Sequence, residues 1–114
     1  MDFTERCYSL LLVSSSAKFN ESLLALLSEP RYQPTVLASD VTSARRCLLE
    51  NSFDIVIINT PLPDSFGTRL ALDACENSSA GVLLLVKAEH YSDINARVSP
   101  YGILVLSKPT PIQM

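Results

Sequence analysis

The stretch FDIVIINTPLPDSFG, from Phe53 to Gly67, decides how this chain folds. From Asp54 to Asn59 it is almost continuously apolar, with no alternation of apolar and polar positions. A half-exposed strand would alternate, so this run suits a parallel strand covered on both faces. The prolines Pro61 and Pro63 and the acidic turn at Asp64 interrupt the run. Gly67 then opens a helical pattern carrying Leu70, Ala71 and Ala74 on one side.

Working outward, four similar runs appear: Tyr8 to Val13, Pro34 to Ser39, Gly81 to Lys87 and Ile103 to Ser107. Helix-like segments separate them. Ser16 is placed to cap a helix whose Phe19, Leu23, Leu26 and Leu27 share a face, with Pro30 and Pro34 bracketing its end. Ser39 or Asp40 can cap the next, with Val41, Ala44 and Leu48 toward the sheet and Arg45 and Arg46 toward water. A fourth, weakly patterned helix around Tyr91 to Val98 closes at Pro100 and Gly102. The alternation predicts an α/β fold with a doubly wound, five-stranded parallel sheet in the flavodoxin-like order 2-1-3-4-5. The chain stops at Met114, just after Lys108-Pro109-Thr110-Pro111. The final helix is therefore expected to be missing or truncated, leaving an apolar face that would seek a partner. Residues 1–114 read as a single domain.

Composition narrows the function. The 114 residues are 47% hydrophobic and 18% charged, enough to bury a core, with a formal net charge of −3. There is no basic stripe to grip a phosphate backbone, so direct nucleic-acid binding by this piece is not expected. No apolar run is long enough to span a bilayer, and the start MDFTERC lacks the pattern of a signal peptide. Cys7, Cys47 and Cys75 form no CxxC pair and lie far in sequence from His90, so they read as reduced thiols in a cytoplasmic protein and not as a metal site. Cys47 and Cys75 fall in helices as core or boundary residues.

In a sheet of this order, ligands bind beyond the carboxyl ends of the strands, where the order reverses between strands 1 and 3. Ser14, Ser15 and Ser16 follow strand 1, and Asn59 and Thr60 close strand 3. Lys87 ends strand 4, and Ser107 and Lys108 end strand 5.

At those positions the chain resembles the response-regulator receiver domains of two-component signalling, from about Tyr8 to Pro109. The segment FDIVIINTPLPDSFG is similar to that family's third strand and following loop, and ILVLSKP to its last strand. In the family such a third strand ends in the aspartate that accepts a phosphoryl group, four residues before a proline and eight before a glycine; here Asn59, Pro63 and Gly67 hold those places. The acidic pair that holds Mg²⁺ is matched by Ser14 and Ser15, and the hydroxyl residue of strand 4 by Lys87. The lysine-proline pair, which the family usually keeps cis, survives as Lys108-Pro109. The SKP ending looks like receivers that precede ANTAR domains, which bind RNA.

The resemblance thus implies a receiver whose chemistry has changed. Phosphoryl transfer needs an anionic oxygen nucleophile and a Mg²⁺ ion to offset charge, and Asn59 is neutral. Mg²⁺ relies on carboxylates, and no matched position carries one. Asp64 is expected to face solvent. Two readings of the lysines stay open. Lys108, Lys87 and the Ser14 to Ser16 hydroxyls and amides can line a weak anion site. Alternatively Lys87 points outward and Lys108 bonds Asn59 or backbone carbonyls. The serine run lacks a base other than His90, so it reads as a helix cap before it reads as a nucleophile. A flavin site would need glycine in this loop and an aromatic platform, and the chain has no Trp.

The expectation is a non-enzymatic pseudo-receiver with no metal and no cofactor. It would regulate through a protein partner or a homodimer made by the strand 5 region, joined to an RNA- or DNA-binding output domain. The alternatives are phosphorylation on a non-standard residue, such as Asp64 or a serine, and a small flavin-binding protein.

Overall fold

The computed structural model describes residues 8–28, Tyr32 and 35–108. Five parallel strands, β1 (Leu10–Val13), β2 (Thr35–Ala38), β3 (Ile55–Asn59), β4 (Gly81–Lys87) and β5 (Leu104–Lys108), form one sheet in the order 2-1-3-4-5. Helices α1 (Ala17–Leu26), α2 (Val41–Glu50), α3 (Thr68–Asn77) and α4 (Ala88–Val98) connect them, and a short 3₁₀ turn, Ser99–Tyr101, leads into β5. Fold class and strand order are those read from the sequence. The expected cis bond at Lys108-Pro109, the brackets Pro30 and Pro34, Cys7 and everything after Lys108 lie outside the described residues. Within them, the Thr60–Pro61 bond is cis.

Side chains leave a strand alternately to its two faces, and here the two faces differ. Leu11, Val13, Val56, Ile58, Leu84, Val86 and Val105 point to the face covered by α2, α3 and α4, where Ala44, Leu70, Ala71, Ala74, Ile94 and Val98 complete a large buried cluster. Burying one such leucine stabilises the fold by roughly 1.5–3 kcal/mol. Leu10, Leu12, Ile57 and Leu85 point the other way, against Phe19, Leu23 and Leu24 of α1 and Leu27 at its C-cap. Leu26, expected on that apolar face, is 60% exposed, and Leu24 takes its place. The α1 helix turns a slightly different side to the sheet than its spacing suggested.

Local chemistry sets the helix starts. Ser16 Oγ accepts from Phe19 N (3.3 Å) and caps α1. Of the two candidate caps for α2, Asp40 is used, accepting from Ser43 N (2.8 Å). Gly67 precedes α3 with φ 112°, and a Cβ there would lie 3.2 Å from Ile58 Cγ2 and 3.3 Å from Thr60 Cγ2. Only glycine meets both the left-handed backbone and the close approach to β3. The fourth helix runs from Ala88, longer than its weak pattern suggested, and follows directly on β4.

Arg45 and Arg46 are exposed, as their helix face predicts. Arg45 also reaches Asp73 (2.8 Å), which takes Arg69 as well (3.0 Å), so α2 is joined to α3 through one carboxylate. Cys47 and Cys75 are free thiols packed at the edge of the larger cluster.

Candidate functional site

The strand register collects the site. Leu12 pairs with Ile57, so Ser14 and Asn59 continue the same row; Asn59 pairs with Leu85, and Lys87 with Lys108. By the two-residue period, Ser14, Asn59, Lys87 and Lys108 all leave the sheet on the face that α1 covers. They sit at its carboxyl end, where the strand order reverses.

There they form a hydrogen-bonded chain. Ser14 is fully buried, anchored by Ser14 N donating to Ala38 O (2.9 Å). Asn59 Nδ2 donates to Ser14 Oγ (3.1 Å), which also accepts from Ser16 N (3.3 Å). On its other side, Asn59 Oδ1 accepts from Lys108 Nζ (2.9 Å), and the same ammonium donates to Thr60 O. Thr60 is buried, and both its N–H (3.0 Å) and its hydroxyl (2.8 Å) donate to Leu85 O. The chain therefore ties β1, β3, β4 and β5 together at their ends.

Each sequence-predicted residue has a definite place. Ser14, Asn59 and Lys108 are joined; Ser15 and Ser16 are exposed on the loop, and Ser16 spends its oxygen on the helix cap. Lys87 is exposed beside Lys108. Burial strips water from the Lys108 ammonium, and the neighbouring Lys87 charge repels it, so its pKa is held below the ordinary 10.5. Of the two readings of Lys108, its observed bonds are to Asn59 and a backbone carbonyl. His90 packs edge-on against Phe66 with ring centroids 5.7 Å apart and lies 3.6 Å from Glu89.

Asp64 does more than face solvent. Its carboxylate accepts from Val41 N (2.9 Å), Thr42 N (3.1 Å) and Thr42 Oγ1 (3.0 Å), so the loop after β3 caps the first turn of α2. Those bonds, the one from Val41 N foremost, hold its pKa below 3.8. The reach spans more than twenty residues of sequence, and no local pattern announces it.

Sequence reasoning also missed Asn20. It is only 8% exposed on the sheet-facing side of α1, and its Nδ2 donates to Ser14 O (3.2 Å). Its Oδ1 is buried without a hydrogen-bond partner among the described residues. A polar residue beside Phe19 on an otherwise apolar helix face was the available signal. Among the described residues, no group of three or more His, Cys, Asp or Glu side chains is placed to hold a metal ion.

No family model matches the chain, and no curated protein matches it by sequence. Solved structures do. The chain is similar to the signal receiver domain of an HD domain-containing protein from Pseudomonas fluorescens Pf-5, at 30% identity and TM-score 0.79, over 99% of this chain and 83% of that one. It is also similar to the non-phosphorylated HemR receiver domain from Leptospira biflexa, at 23% identity and TM-score 0.80, over 93% of this chain and 86% of that one. A third is the beryllofluoride-activated NtrC4 receiver domain dimer, at 22% identity and TM-score 0.78, over 92% and 87%. The last two likenesses speak to fold alone.

Proposed function

This chain belongs to the response-regulator receiver family, and on that premise we propose that it transmits signals without being phosphorylated. The observation that carries this reading is the amide of Asn59. It stands where the family places its phosphoacceptor, and both of its ends are spent, one on Ser14 and one on Lys108. An amide has no anionic oxygen to attack phosphorus. Beside it Ser14 and Ser15 offer hydroxyls where Mg²⁺ would need carboxylates. Asp64, a candidate for a substitute acceptor, is occupied at the start of α2.

Such a domain acts as a binding module and catalyses nothing. We place its contact surface on β5, where Leu104 is 59% and Leu106 42% exposed on an apolar face. That one solved relative is a receiver dimer supports a homodimer or protein partner. Residues 1–114 act as one domain, and an output domain that binds RNA, as ANTAR domains do, or DNA completes the regulator. The free thiols of Cys47 and Cys75 suit a cytoplasmic setting. Among the described residues, no helix is long and apolar enough to cross a membrane.

Intact-mass measurement after incubation with acetyl phosphate and Mg²⁺ tests the central point. Unchanged mass is expected, with the triple variant Ser14→Asp, Ser15→Asp, Asn59→Asp, which restores both the acceptor and the Mg²⁺ carboxylates, as a gain-of-function comparison. A covalent phosphoryl group on the unaltered chain would reassign it to the phospho-accepting class, with peptide mapping to decide between Asp64 and a serine. A yellow colour on purification would instead point to a bound flavin.

A further inference from the structure

We propose that the carboxyl end of the α1-covered face binds a free oxyanion of phosphate or sulfate size, which draws the Lys108 ammonium away from Asn59 and Thr60. The inference rests on the reading that no phosphoryl group is attached covalently at this site.

The argument begins with charge. Lys87 and Lys108 are direct partners on adjacent parallel strands, and their side chains leave the same face. Two ammonium groups so placed repel each other. Among the described residues, no ion pair joins a carboxylate to either lysine. Glu89, two positions past Lys87, turns to His90, and Asp64 and Asp40 are both committed to the first turn of α2. The acceptors Lys108 does have, an amide oxygen and a peptide oxygen, are neutral.

Donors around this point are only partly spent. Lys108 carries three N–H groups and uses two. Ser14 Oγ accepts two N–H bonds, which leaves its own proton to give. Lys87 is exposed and able to swing inward. An oxyanion here would supply the missing countercharge and give the Lys108 ammonium an ionised acceptor in place of two neutral ones.

The internal bonds then define what the ligand changes. When Lys108 turns to an anion, the Thr60 carbonyl loses its donor at the head of the loop that runs to Asp64 and the start of α2. Occupancy would thus be felt at α2 through a loop already tied to it. Because the anion must compete with an intact internal network, binding is weak, in the millimolar range.

The test is a titration of the full, isotopically labelled chain with inorganic phosphate, and separately with sulfate. Backbone amide shifts are followed at ionic strength held constant with chloride. The amides of Asn59, Thr60 and Lys108 should move along one saturating curve with either anion, and those of Val41 and Thr42 should follow. Lys87→Gln should weaken the curve about tenfold. Absence of a saturable shift, or an unchanged curve in Lys87→Gln, would overturn the proposal. Failure here is separable from failure of the underlying reading. A covalent mass gain with acetyl phosphate sinks that reading, whereas inorganic phosphate cannot produce one.

Discussion

The two faces of the sheet are built to different specifications. One is closed by α2, α3 and α4, and its side chains from Leu11 to Val105 are almost wholly buried. The other is covered, among the described residues, by α1 alone, and Leu37, Leu104 and Leu106 stay open to solvent at its flanks. The polar chain of Ser14, Asn59 and Lys108 belongs to this second face. The closed face supplies stability, and the open one holds the groups that can respond to something outside the molecule. Mutations should separate the two roles.

The largest effect is expected from the closed face. Leu84→Ala empties a fully buried position and should lower unfolding free energy by about 3 kcal/mol. Leu106→Ala, at 42% exposure, should cost less than about 1 kcal/mol by the same urea titration. Equal losses would break the comparison.

Next comes the polar chain on the open face. Asn59→Ala deletes both bonds at once and leaves the buried Ser14 hydroxyl and Lys108 short of partners, a cost of roughly 1–3 kcal/mol. Asn59→Asp should be milder, because a carboxylate keeps the Lys108 contact as a charged pair and Ser14 can turn its proton toward it. If both substitutions were silent, the network would not be holding the strand ends together.

A smaller effect should appear in acid. The folded-state pKa of Asp64 lies below 3.8, so its bonds to α2 stabilise the fold fully above that value. The contribution fades as pH falls through the lower folded value. Asp64→Asn should remove that part of the acid limb in a stability-versus-pH series and leave the neutral region close to flat. Lys108 gives a slope of the same sign at the alkaline end. Its lowered pKa makes stability rise slightly between the folded value and 10.5.

The smallest change in stability, within about 0.5 kcal/mol, is expected from Leu104→Lys combined with Leu106→Lys. The same double variant should abolish any self-association seen by sedimentation velocity. Unaltered association would move the contact surface away from β5.

Much of this architecture could be read from the chain. Continuous apolar runs such as Ile55 to Ile58 mark strands buried on both faces, because each position must avoid water whichever way it points. Ser16 and Gly67 marked helix starts for reasons local to the backbone. The candidate site was legible to the same depth: Ser14, Asn59 and Lys108 were placed together because strand order alone puts their strand ends side by side. Asp64, Asn20 and Arg45 were not legible in this way. Each finds its partner on a different element, at a distance set by how helices settle on the sheet, and no spacing in the sequence encodes that.

The sequence by itself determined the periods, the caps and the substitution of an amide for a carboxylate, since these depend on residue type and near neighbours. Only the tertiary structure decided that both ends of the Asn59 amide are occupied and that the loop after β3 holds the start of α2. Those outcomes depend on which surfaces meet in three dimensions, and that is fixed by packing summed over the whole fold.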